Sequence, residues 1–223
     1  MMAQSLGASK ESIPRPRIQT LSDMIFGLAL SIGAVSLLSQ KPANLTAISY
    51  SMVSFGFAFL ILTLVWFRYS KIMSVLPVES SGIVWANMIL LFLVSIEPYL
   101  FNLMTVSAYS PAPGQLDSGS TTTLYALDLG GLMLILAYFM HELTAEERRL
   151  IPSELLKSYR LTAYTTIIAG LVFLLSALPV FWSVIVIPSP ATPIRYVLWC
   201  GVWVANVGRR LDVRMTSRRS ELK

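Results

Sequence analysis

The chain has 223 residues, 55% hydrophobic and 13% charged, with a mean hydropathy of +0.65. A soluble domain carries roughly 25% charged residues, so these figures exclude a soluble enzyme and point to an integral membrane protein with room for about six spans of roughly 20 residues. The net charge of +5 acquires meaning only from where the bases fall, and the single cysteine, Cys200, excludes an internal disulfide framework or a cysteine zinc site.

The first sixteen residues are polar and broken by Pro14 and Pro16, with no apolar leader region ahead of the first long hydrophobic run, so a cleaved signal is not expected. Hydropathy windows predict helices over 18–39, 46–73, 82–106, 122–141, 160–187 and 193–209. Pro42, Pro77 to Gly82, Ser110 to Gly119, Pro152 and the Pro188, Pro190 and Pro193 cluster fall between them, where proline cannot disrupt a helix interior. The expected fold is all-α with six transmembrane helices, organised as an N-terminal cytoplasmic segment 1–16, a six-span domain 17–209 and a basic cytoplasmic tail 210–223. The sixth span is short and carries Arg195 and Asn206.

Counted along this topology, 15 of the 17 bases fall on one side, and only Lys41 and Arg195 on the other. The positive-inside rule then places both termini in the cytoplasm. Topology accounts for the basic excess, so no nucleic-acid partner is expected; the tail is suited to anionic lipid.

Ionisable residues inside the spans are few: Asp23, Arg68, Glu97 and Asp128. Each is costly in hydrocarbon and should face the bundle interior, a wet cavity or an interface. Asp23 is near the inner end of the first span and reads either as a partner for Arg17 or Arg68 or as a cation attractor at an inner mouth. Glu97 and Asp128 fall toward the other side and read as interfacial residues or as an acidic outer vestibule. In the first span Leu28, Ser31, Ile32 and Val35 share a face at helical spacing, while Gly27 and Ala34 allow close helix approach. Periodicity leaves two uses open for that face, helix packing and pore lining. His141-Glu142 lacks the second histidine of a zinc motif, and no metal site is expected beyond a transported cation.

The segment Arg17-Ile-Gln-Thr-Leu21-Ser22-Asp23 resembles the Arg-x-x-x-Phe-Ser-Asp signature that opens the first helix in the transmembrane protein 175 family of potassium channels. Trp66-Phe67-Arg68-Tyr69 and the apolar run from Asn87 to Pro98 extend the resemblance, with Leu21 replacing the family's Phe and no His following Trp66. The resemblance implies a homotetramer of six-span subunits in a lipid bilayer, with potassium as the permeant ion, no cofactor and no enzymatic activity. It also implies a pore lined by helix one, with Leu28 as the constriction, Ser31 as a hydroxyl layer where Thr is usual, and Ile32 and Val35 as further aliphatic rings. Arg17, Ser22 and Asp23 become a polar knot that organises the inner end of helix one without touching the ion. Neither a Thr-Val-Gly-Tyr-Gly carbonyl filter nor a re-entrant loop between spans five and six is found in the sequence. The competing readings are a small carrier alternating access around Asp23 or Asp128, and a non-conducting membrane scaffold.

Overall fold

The computed structural model describes residues 16–39, 45–76, 80–109, 117–145, 150, 152–188, 191–202 and 204–205. Its elements in chain order are α1 (Pro16–Ser39), α2 (Leu45–Met73), α3 (Ser81–Tyr109), α4 (Ser118–Leu143), α5 (Ser153–Ser176), α6 (Val180–Ser183), β1 (Ile185–Pro188) and β2 (Ala191–Pro193). Residues 194–202 and 204–205 are helical again. Five helices, α1 to α5, are long and apolar enough to cross a membrane. At about 1.5 Å per residue, 24 to 29 residues make roughly 36–44 Å of helix, more than the ~30 Å of a hydrocarbon core. The chain is a multi-pass, essentially all-α membrane protein. Of the predicted sixth span, 194–202 and 204–205 are helical and most of the remainder lies outside the described residues, as do the N-terminal segment before residue 16 and the basic tail.

The boundaries differ from the hydropathy reading in two instructive places. Helix α4 starts at Ser118, not 122, because Asp117 caps it: one carboxylate oxygen accepts from the backbone N–H of Gly119 (3.0 Å) and Ser120 (3.2 Å), and the Ser120 hydroxyl donates to the other at 2.5 Å. The predicted fifth span, 160–187, is a composite. Helix α5 begins seven residues earlier, in a polar stretch that hydropathy ignores, and ends at Ser176. Pro179 cannot continue it, lacking an N–H and crowding the preceding turn. The β-branched run Val184 to Ile187 then extends into an antiparallel hairpin, with Ile185 opposite Pro193 and Pro188 opposite Ala191.

Helix α4 occupies the centre, packed on α5 and α3, while α1 leans on α3 and α2. The α4–α5 crossing is close because Gly130 and Gly170 face each other: a Cβ built on either would stand 3.2 Å from the other's carbonyl oxygen. The core runs through Phe26, Ile61, Tyr69, Leu90, Tyr125, Leu132, Phe139 and Phe173. Lys71 at the end of α2 lies 5.6 Å above the Tyr159 ring near the start of α5, so these two basic ends share one side of the bundle, as their charges suggest.

Candidate functional site

Helix α1 presents two unlike faces. Ser22, Phe26 and Ala29, spaced at four and three residues, are buried against the bundle, and Phe26 meets the Tyr69 ring at 5.5 Å. On the opposite face Leu21, Met24, Leu28, Ile32 and Val35 form a stripe 47–67% exposed in the subunit, with Ser31 exposed among them. The four residues singled out from sequence, Leu28, Ser31, Ile32 and Val35, therefore share one uncovered surface. The Ser31 hydroxyl donates to the Gly27 carbonyl at 2.8 Å. With its proton committed inside the helix, its oxygen keeps lone pairs to offer outward.

The close approach expected at Gly27 does not occur inside the subunit, since a Cβ there would meet nothing within 4 Å. Gly33 takes that role: a Cβ on it would lie 3.4 Å from the Phe55 ring and 3.8 Å from Pro98 Cβ, so α1 is seated on α3 at its internal proline.

The N-terminal end of α1 is tied down by a polar chain. Ser22 donates to the Ile18 carbonyl (2.8 Å) and lies 2.6 Å from the Tyr69 hydroxyl, which is 2.7 Å from the Asn87 side-chain oxygen. Two hydroxyl protons cannot serve three contacts; the count balances if Asn87 turns its amide N–H to Tyr69, Tyr69 donates to Ser22 and Ser22 to Ile18. Asp23, beside it, accepts from the Trp66 indole N–H at 2.8 Å. The structure thus brings Ser22 and Asp23 to α2, with Asn87 joining from α3. The Arg17 side chain lies outside the described residues, and Arg68 reaches the Met133 sulfur at 4.0 Å. Tyr69, Trp66 and Asn87 are the partners that sequence alone did not assign; for Asn87 the signal is a lone polar side chain within an apolar run.

Glu97 and Asp128 do not line an open mouth of the subunit. They are 0% and 3% exposed and lie between α3 and α4, Asp128 about 15 Å from the start of α4 at ~1.5 Å per residue, near the middle of the bundle and not at its rim. The Tyr125 hydroxyl, one turn from Asp128, donates to Glu97 at 3.1 Å. An ionised carboxylate at a span's centre costs about 2.5–3.5 kcal/mol or more, which explains why both are turned inward.

Arg195, placed by sequence on the outer side, is fully buried. Its five N–H groups reach Ser176 O (2.6 Å), Gly119 O (3.1 Å), Thr122 Oγ1 (2.6 Å), Ala177 O (3.2 Å) and Leu178 O (3.3 Å). Three of these are carbonyls at the C-terminal end of α5, where helical partners run out and the helix dipole favours a cation. Its guanidinium also stacks 5.8 Å from the Trp182 ring. Arg195 thereby clamps the returning chain to the end of α5 and the start of α4. Among the described residues no group of three or more His, Cys, Asp or Glu side chains is arranged to hold a metal ion.

The family described as the endosomal/lysosomal potassium channel TMEM175 matches residues 17–98, which span α1, α2 and most of α3. Over those helices the chain is similar to this family, and two solved channels share its fold. A lysosomal potassium-selective channel TMEM175 homolog from Chamaesiphon minutus has a similar fold, with a TM-score of 0.51 and 16% identity over 73% of this chain and 88% of its own. A variant of the potassium channel MtTMEM175, solved with a nanobody–MBP fusion protein, gives a TM-score of 0.56 and 17% identity over 97% of this chain and all of its own. A comparison with curated proteins finds no significant match. The TMEM175 match covers the part of the chain that holds the α1 stripe, Ser22, Asp23, Trp66, Tyr69, Asn87 and Pro98, while the likeness to the second solved channel extends through α4, α5 and the C-terminal helix.

Proposed function

We propose that the protein is a potassium-favouring cation channel in which the uncovered stripe of α1 lines a passive ion path between copies of the chain. The single observation that carries this reading is that stripe. Its residues sit within the span matched by a potassium-channel family, and Leu28, Ile32 and Val35 remain 47–61% exposed in the subunit. In a homotetramer, four Leu28 side chains meeting at an axis would exclude water when close, so opening requires dilation or rotation of α1. Ser31 oxygens, with their protons held by Gly27, would offer acceptor atoms to a hydrated cation one turn away. Ile32 and Val35 would continue the aliphatic wall toward the other end. The anchors at Ser22 and Asp23 hold the N-terminal end of α1, and Gly33 seats it on Pro98, so the stripe keeps its outward face. The sorting of bases to one side supports cytoplasmic termini.

Replacing Leu28 with Ala is the test. Purified protein in liposomes should show a raised basal potassium flux; a variant that conducts no more than wild type would remove Leu28 as the constriction. Discrete unitary currents in planar bilayers are expected, whereas saturable, coupled exchange without current would favour a carrier.

A further inference from the structure

Between α3 and α4 three buried carboxylate oxygens have no hydrogen-bond partner: Glu97 Oε2 and both oxygens of Asp128. Tyr125 and Asp128 are three residues apart on one face of α4, and that face meets Glu97 through the Tyr125 hydroxyl.

The surroundings supply no compensation. Phe101 of α3 and Trp199 of the C-terminal helix pack on the Tyr125 ring at 5.6 and 5.7 Å. Arg195 is committed to carbonyls and Thr122, and Arg68 of α2 meets Met133, more than a turn beyond Asp128. Helix α1 contributes Gly33 beside Pro98, and α5 contributes Gly170 and Leu174 at Gly130. Among the described residues neither acid has a basic partner. Apart from the Tyr125 proton the cluster is all lone pairs, and a bridging water would satisfy some of them without removing negative charge from the middle of the bundle. The arrangement is complete only with added positive charge.

We propose that Glu97, Tyr125 and Asp128 form a cation-accepting site inside the subunit, apart from the α1 stripe, filled by an alkali metal ion or by protons. Its occupancy holds α3 to α4 one residue from Pro98, where α1 is seated. The inference concerns the interior of one subunit and stands whether or not α1 lines the ion path.

The experiment is thermal unfolding of the full-length protein in detergent, followed by tryptophan fluorescence. One arm exchanges potassium, sodium and choline chloride at fixed pH and ionic strength; the other raises pH in choline chloride alone. A metal-ion site makes the wild type melt about 3 °C or more higher in potassium or sodium than in choline. A proton site makes melting indifferent to that exchange but lower as pH rises. In either case the response disappears in E97Q/D128N, which keeps shape and removes charge. A double variant that retains the wild-type response, or a wild type that responds in neither arm, overturns the proposal. Should the double variant not fold, Tyr125→Phe decides: it leaves both acids but removes the hydroxyl, so the midpoint of the response must shift, and an unchanged midpoint overturns the site.

Discussion

Helices α1 and α4 are similar in length and both apolar enough to span a membrane, yet they are used in opposite ways. Helix α4 buries fourteen of its 26 residues on faces that turn toward α3, α5 and, at its start, Arg195. Among the described side chains of α1 only Ser22, Phe26 and Ala29 are buried, while Leu21, Met24, Leu28, Ile32 and Val35 are exposed in the subunit. Polar groups follow the same division. Thr121, Thr122 and Asp128 of α4 are enclosed within the subunit, whereas Ser31 of α1 is exposed. A hydrophobic span is thus not automatically a core element: one helix is finished by its own chain, and the other is finished by whatever lies outside it.

That contrast predicts a gradient of damage. The largest stability loss is expected for Arg195→Met, which removes five hydrogen bonds made by a buried cation, including the one to the Ser176 carbonyl; at ~1.5–3 kcal/mol per hydrogen bond to a charged group the loss should reach about 3 kcal/mol or more, read by unfolding in detergent. Next is Gly130→Ala, whose Cβ would come within 2.6 Å of Leu174 and 3.2 Å of the Gly170 carbonyl; overpacking of this kind costs about 1–3 kcal/mol and should also loosen the α4–α5 crossing. Asp117→Ala removes the cap of α4, at a cost of about 1 kcal/mol. The Ser120 hydroxyl, and then the backbone N–H groups of Ser120 and Gly119, hold the Asp117 carboxyl below the usual aspartate range. The cap is therefore fully present above that ordinary range and is lost as pH falls through its lowered value, so acidification should erase the difference between wild type and D117A. At the small end, Leu28→Ala should change the stability of the subunit by no more than about 0.5 kcal/mol, as for an exposed site, although its flux changes. Equal stability losses at Leu28 and Gly130 would break the contrast between the two helices.

The five long spans and the exposed α1 stripe were legible because hydropathy, proline breaks and helical spacing are local properties. The start of α4 was hidden because Asp117 acts through backbone N–H groups that a hydropathy window does not weigh, and the end of α5 because Val184 to Ile187 is as apolar as a helix while preferring an extended chain. The partners of Ser22 and Asp23 lie 47 and 43 residues away, near the end of α2, and no spacing rule reaches that far. Glu97 and Asp128 were rightly marked as costly but set at a rim, since the sequence does not say that Tyr125 would draw Glu97 inward. Arg195 was read only as an outer charge; its burial depends on the carbonyl ends of two other elements.

The central claim is that ions pass along the uncovered face of α1, and Cys200, the only cysteine, makes it directly measurable. In a Cys200→Ser background, Leu28→Cys should be modified by a small water-soluble thiol reagent, and the cation current should fall irreversibly as modification proceeds. Complete modification at position 28 with an unchanged current would place the ion path elsewhere.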